Sequence, residues 1–238
     1  MTSLLRVTVM THRGAVRDHN EDALVVGAFT ACEADMADPV TWEAPLAGPV
    51  LVAVADGMGG HAAGEVASAH TVRTLAATTP PDLTRIASVL HRIDGELRAM
   101  ARADAAVAGM GTTVAGVVVG PDGALRFGVG DSRVYREHGG YLAQISVDDR
   151  GPSGGLTQCL GGRRDGSELH ATVEPLDGAG RLLLCSDGLS DLVELETMEQ
   201  LLGQPGGAAR SVKALWAAAM NGSGRDNITV ALVEILPE

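Results

Sequence analysis

Two stacked antiparallel β-sheets with helices on their outer faces, an α+β arrangement, is the fold class this sequence predicts, and three observations lead to it. Residues 50–55, 114–119 and 182–185 are apolar runs of strand length, the pattern of strands covered on both faces. Pro121-Asp122-Gly123 sits between two apolar runs as a tight hairpin turn, which makes the flanking strands antiparallel. Leu83, Ile86, Leu90, Ile93, Leu97 and Met100 step by threes and fours, one apolar stripe of an amphipathic helix that can roof a sheet. A parallel sheet with helices on both faces also buries its strands twice over; the hairpin weighs against it.

In chain order, residues 4–11 alternate loosely as a strand, 14–22 form a dense polar turn, and 23–27 are apolar again. Residues 29–48, with Pro39, Trp42 and Pro45, read as a surface excursion without chemistry. The run 50–55 is a strand, and Val66, Ala69, Val72 and Ala76 lie at helical spacing after it. Past the amphipathic stripe, residues 109–113 open a strand that turns at Pro121-Asp122-Gly123 into 125–129; Asp131-Ser132-Arg133 breaks the pattern before Val134-Tyr135. Residues 182–187 form a further strand delivering an acid. Helical patterns at 198–202 and 208–220 follow, then a polar turn and a last strand over 228–235.

With 238 residues, 45% hydrophobic, the chain can bury a substantial core and is expected to form one domain over 1–238. Lysine and arginine number 18 against 30 aspartates and glutamates, a net charge of −12, which argues against nucleic acid as a partner. A phosphate-bearing ligand would need local positive charge, and bound cations can supply it. No apolar run is long enough to span a bilayer, and the first residues lack a signal-peptide pattern, so a soluble, cytoplasmic protein with no membrane partner is expected. Cys32, Cys159 and Cys185 are odd in number and lack metal-type spacing, which predicts buried or idle thiols and no disulfide.

The chemistry is carried by acids at strand ends. Residues 50–55 run into Asp56-Gly57-Met58-Gly59-Gly60-His61, one acid among glycines that let a ligand approach the backbone. Asp-Gly alone is a common turn pair, as at 122–123 and 177–178, so recurrence is what counts. Residues 182–185 lead to Asp187-Gly188, 125–129 lead to Gly130-Asp131-Ser132, and Asp226-Asn227 directly precedes the last strand. Four uncompensated carboxylates at one end of a sandwich would repel, so their convergence implies divalent cations. In the polar turn, Arg17 has the forked shape that fits phosphate oxygens and Glu21 can hold a metal through water; a merely solvated loop accounts for the same composition.

The ordered set Arg17…Asn20-Glu21-Asp22, Asp56-Gly57-Met58-Gly59-Gly60-His61, Gly111-Thr112-Thr113, Gly130-Asp131-Ser132-Arg133, Ser186-Asp187-Gly188-Leu189 and Arg225-Asp226-Asn227 resembles the bacterial branch of the PPM family, the type 2C Ser/Thr protein phosphatases, over nearly the whole chain. The resemblance implies a four-layer α/β/β/α sandwich holding two Mn2+ or Mg2+ ions and hydrolysing phosphoserine and phosphothreonine in phosphoproteins. By position, Asp56 matches the carboxylate that bridges both ions, and Gly57 offers its carbonyl. Asp187 and Asp226 match ligands of the first ion, Glu21 reaches the second through water, and Asp22 and Asn227 support them from behind. Asp131 with Asp187 matches a third metal site, and Arg17 the clamp on the phosphoryl group. The implied reaction is in-line attack on phosphorus by water activated between the two ions, with Arg17, Asp56, Asp187 and Asp226 as the catalytic set and no role for cysteine. Ser/Thr kinases and sigma-factor regulators are the partners it implies.

The sequence departs from the family pattern in two places. Members carry a sizeable flap after the Gly-Asp-Ser-Arg motif, whereas here residues 147–155 alone join Ser146 to Leu156, which predicts a more open site, weaker third-metal binding and looser substrate selection. Met58 stands where eukaryotic members place a histidine, so water rather than His61 is expected to protonate the leaving group. A catalytically weak phosphoprotein-binding module of the same fold is the alternative reading, and a metal nuclease is disfavoured by the acidic composition.

Overall fold

The computed structural model describes residues 3–59, 63–78, 85–162, 168–177 and 180–237; Gly60, His61, Leu83 and Gly178 of the motifs above lie outside the described residues. One six-stranded sheet runs, in spatial order, β11 (Tyr141–Gln144), β10 (Arg133–His138), β13 (Arg181–Cys185), β14 (Ile228–Leu236), β1 (Leu4–His12) and β4 (Val40–Pro45). The second runs β12 (Thr172–Leu176), β9 (Gly123–Val129), β8 (Val114–Gly120), β5 (Val50–Ala55), β2 (Ala23–Val26) and β3 (Phe29–Cys32). Neighbouring strands pair antiparallel throughout both sheets, which removes the parallel alternative. The expected hairpin closes with Gly120 opposite Gly123. A two-residue ribbon, β6 (Gly57–Met58) with β7 (Gly111–Thr112), lies beside the ends of β5 and β8.

The continuous apolar runs have a simple cause: successive side chains point to opposite faces, and both faces are covered. Along β5, Val52 and Val54 face the other sheet, while Leu51, Ala53 and Ala55 face helices α1 (Ala63–Ala77) and α2 (Ile86–Ala103). Along β13, Leu182 and Leu184 point between the sheets, and Leu183 and Cys185 pack under α3 (Asp187–Ser190), α4 (Leu195–Leu202) and α5 (Gly207–Asn221). Three apolar cores thus separate four layers, as the expected α/β/β/α sandwich requires. In α2 the stripe Ile86, Leu90, Ile93 and Leu97 is buried as its spacing predicts. Cys159 and Cys185 are buried and in no disulfide among the described residues, and burial pushes the Cys185 thiol up to about 12.

Residues 29–48 are not the excursion that the sequence predicts. They contain β3 and β4, the outer strands of the two sheets, and β4 pairs with β1 from Leu4 opposite Pro45 to Val9 opposite Val40. An edge strand needs cover on one face and one flank only, so β4 carries no apolar run and tolerates a terminal proline. Further into the same sheet, β1 pairs with β14 over nine residues, from Leu4 opposite Leu236 to His12 opposite Ile228. The acid at 187 also differs slightly from expectation: β13 ends at Cys185, and Asp187 opens the single turn of α3.

Candidate functional site

Strand ends from both sheets surround a cavity of about 430 Å³. Arg17, Glu21, Asp56, Gly57, Asp131, Asp187, Asp226 and Asn227, all singled out from the sequence, line it together. Asp22, the remaining predicted residue, lies beneath the floor and is fully buried.

Asp56 follows β5 and is fixed through its backbone. Its N–H donates to Thr113 Oγ1 at 3.1 Å, and its carbonyl accepts from the Thr113 N–H at 2.9 Å and Thr112 Oγ1 at 2.8 Å. Gly57 is required by close approach, since a Cβ there would overlap the Gly64 carbonyl at the start of α1 and come within 2.6 Å of the Glu21 carbonyl oxygen. Asn227 ties the polar turn to β14: its Oδ1 accepts the Glu21 N–H at 2.8 Å, and its Nδ2 donates to the carbonyls of Arg13 and His19, each at 3.0 Å. Behind the acids, Ser186 Oγ donates to Asp22 Oδ2 at 2.7 Å and accepts the Thr229 N–H at 3.0 Å. Among the described residues, Asp22 Oδ1 is buried with no hydrogen-bond partner.

Burial and mutual repulsion dominate the electrostatics. The Asp56 carboxyl is held well above the ordinary carboxylate range, first by desolvation and then by Asp22, Asp187, Asp226 and Asp131. Desolvation likewise raises Asp22 to about 7 and Asp187 to about 6, with neighbouring aspartates adding to it. Two arginines oppose this charge. Arg17 Nη2 straddles the Asp226 carboxylate at 2.9 and 3.0 Å, and Arg150 Nε reaches Asp131 at 2.6 Å while its Nη2 lies 3.2 Å from both Asp187 and Asp191. Among the described residues no side chain hydrogen-bonds the Asp56 carboxylate, and no three His, Cys, Asp or Glu side chains are gathered tightly enough to hold a metal ion as they stand. An oxygen-only donor set around an uncompensated, partly buried acid fits hard divalent cations near Asp56, whereas the Asp131 corner already holds a guanidinium.

Sequence reading missed Arg150, Asp191 and the support from Ser186. Asp191 sits one helical turn after Asp187, a spacing that shares a face once Asp187 is known to open a helix. Arg150 lay in a segment read only as a deletion, and nothing in its neighbours' composition aims it inward.

A two-sheet sandwich with an acid-lined cleft at its strand ends defines the class: the chain belongs to the protein phosphatase 2C family, whose model matches residues 33–236. Among particular proteins it is similar to the serine/threonine protein phosphatase PstP of Mycobacterium tuberculosis, with 30% identity over 263 residues, covering 99% of this chain and 46% of PstP. The chain therefore spans about half the length of that relative. It is also 30% identical to the serine/threonine phosphatase stp of Listeria monocytogenes over 94% of this chain and 93% of stp. The crystal structure of the PstP catalytic domain in complex with two manganese ions superposes with a TM-score of 0.77 at 32% identity, covering 99% of this chain and 100% of that one.

Proposed function

We propose that this chain, acting as one catalytic unit, is a metal-dependent protein serine/threonine phosphatase that hydrolyses phosphoserine and phosphothreonine. The observation that supports this most is the gathering of Arg17, Glu21, Asp56, Asp187 and Asp226 around one cavity from four separate stretches of chain. Two Mn2+ or Mg2+ ions, when bound, supply the positive charge that makes water a nucleophile at neutral pH and offsets charge on the phosphoryl oxygens. Asp56, the Gly57 carbonyl, Asp187, Asp226 and Glu21 would hold the pair. Asp22 and Asn227 hold these groups in place from behind. Arg17, half exposed and paired with Asp226, is free to turn its fork toward the phosphoryl oxygens once a cation takes over that carboxylate.

Phosphoproteins are the substrate class, with Ser/Thr kinases and sigma-factor regulators as the partners and the cytoplasm as the place of action. Among the described residues no helix is long and apolar enough to cross a membrane. The test is manganese-dependent hydrolysis of p-nitrophenyl phosphate and of a phosphothreonine peptide by the full chain. Turnover is expected to vanish with chelator and to fall by about a thousandfold or more in Asp187→Asn. Phosphopeptide binding with no metal-dependent turnover would overturn the proposal in favour of a binding module.

A further inference from the structure

The short segment after β11 is built to carry one side chain to one place. Arg133 grips Asp148 with Nη2 at 2.7 Å and Nε at 3.1 Å, and Gln144 Nε2 donates to the same carboxylate at 2.7 Å. The next residue, Asp149, accepts the Gly130 N–H at 2.8 Å and returns its own N–H to the Gly130 carbonyl at 2.9 Å. Thr157 N–H then closes the segment on the Asp149 carbonyl at 2.7 Å. With the backbone pinned in succession, Arg150 enters the acid corner with its side chain 27% exposed and contacts Asp131, Asp187 and Asp191.

We propose that Arg150 is itself the third cation of this site, so that the loaded protein holds two divalent ions and not three; the inference rests on the two-ion reading above. A divalent ion of this kind needs oxygens converging at about 2.0–2.6 Å on one point. A guanidinium instead spreads its donors along a flat fork, and the three carboxylates divide between two of its nitrogens, with Nε serving Asp131 and Nη2 serving the other two. The two arrangements exclude each other by geometry and by like charge. Arginine also keeps its proton throughout the pH range of the enzyme, so its charge cannot be lost as a metal can. The shortened segment therefore exchanges a dissociable ion for a covalently tethered one.

The test counts ions on the full chain. After stripping with chelator, the unaltered protein, Arg150→Lys and Arg150→Ala are titrated with Mn2+ by calorimetry, and bound manganese is counted by native mass spectrometry. Two ions are expected for the unaltered chain and for Arg150→Lys. Arg150→Ala is expected to take three, the third at least about tenfold more tightly than any further ion the unaltered chain binds. Three ions on the unaltered chain would overturn the inference alone, as would two on a folded Arg150→Ala, judged by its circular dichroism and cooperative melting. Should Arg150→Ala not fold, the counts for the unaltered chain and Arg150→Lys decide. No bound manganese in any of the three removes the two-ion reading, and this inference falls with it.

Discussion

At the scale of single residues, the site depends on places where a side chain would not fit. Gly188 lies against the Asn227 carbonyl, and a Cβ there would overlap that oxygen between α3 and β14. Gly188→Ala is expected to cost about 3 kcal/mol, read as a lower urea midpoint, because both contacting segments are fixed backbone. Gly95, exposed on α2 with nothing within 4 Å of its would-be Cβ, is the contrasting control. Gly95→Ala is expected to stabilise by about 0.5–1 kcal/mol, since alanine narrows the unfolded ensemble in a helix-compatible position. The acids were legible one by one because each ends or precedes an apolar run. Arg150 was not, since its meaning comes from the pinning of Asp148 and Asp149 by residues 15 and 19 positions earlier.

Elements divide by how many neighbours they have. Seven of the eight interior strands, β1, β2, β5, β8, β9, β13 and β14, were readable because burial on both faces favours apolar residues; in β10 only Val134 and Tyr135 are buried. The outer strands β3, β4, β11 and β12 were not, because exposure on a flank and a face leaves them without an unbroken buried run. The amphipathic helix α2 was readable because one face alone is buried, so its period survives in the sequence. The junction between β13 and α3 is held from two sides, since Ser186 bonds Asp22 and the Thr229 N–H at once. Ser186→Ala leaves a buried acid and a buried amide short of a partner. It is expected to lower unfolding free energy by about 1–3 kcal/mol in guanidinium titrations.

For the whole molecule, the site is a store of electrostatic repulsion that metal relieves. Asp22, Asp56 and Asp187 have folded-state pKa values above the ordinary carboxylate value, at about 7, well above normal, and about 6. Between roughly pH 4 and pH 7 the folded form thus binds more protons than the unfolded form, and stability without metal falls as pH rises through that window. Glu96, drawn down by His70, acts in the opposite sense only at the acidic end. The melting temperature in chelator is expected to be higher near pH 5 than near pH 8. Manganese should reverse the order, because it binds the ionised acids, adding about 2.7 kcal/mol at a hundredfold excess over its Kd. An unchanged pH trend with and without manganese would contradict this.

The pairing of β1 with β14 sets an order of events during synthesis. Asp226 leaves the ribosome 209 positions after its partner Arg17, and the strand that it introduces is the one that fills the gap between β13 and β1. Such distant pairing is slow to form and leaves sheet edges bare while it waits. Until that last strand seats, the nascent polypeptide carries most of its acids but cannot assemble them. A half-made chain therefore has no acid-lined cavity.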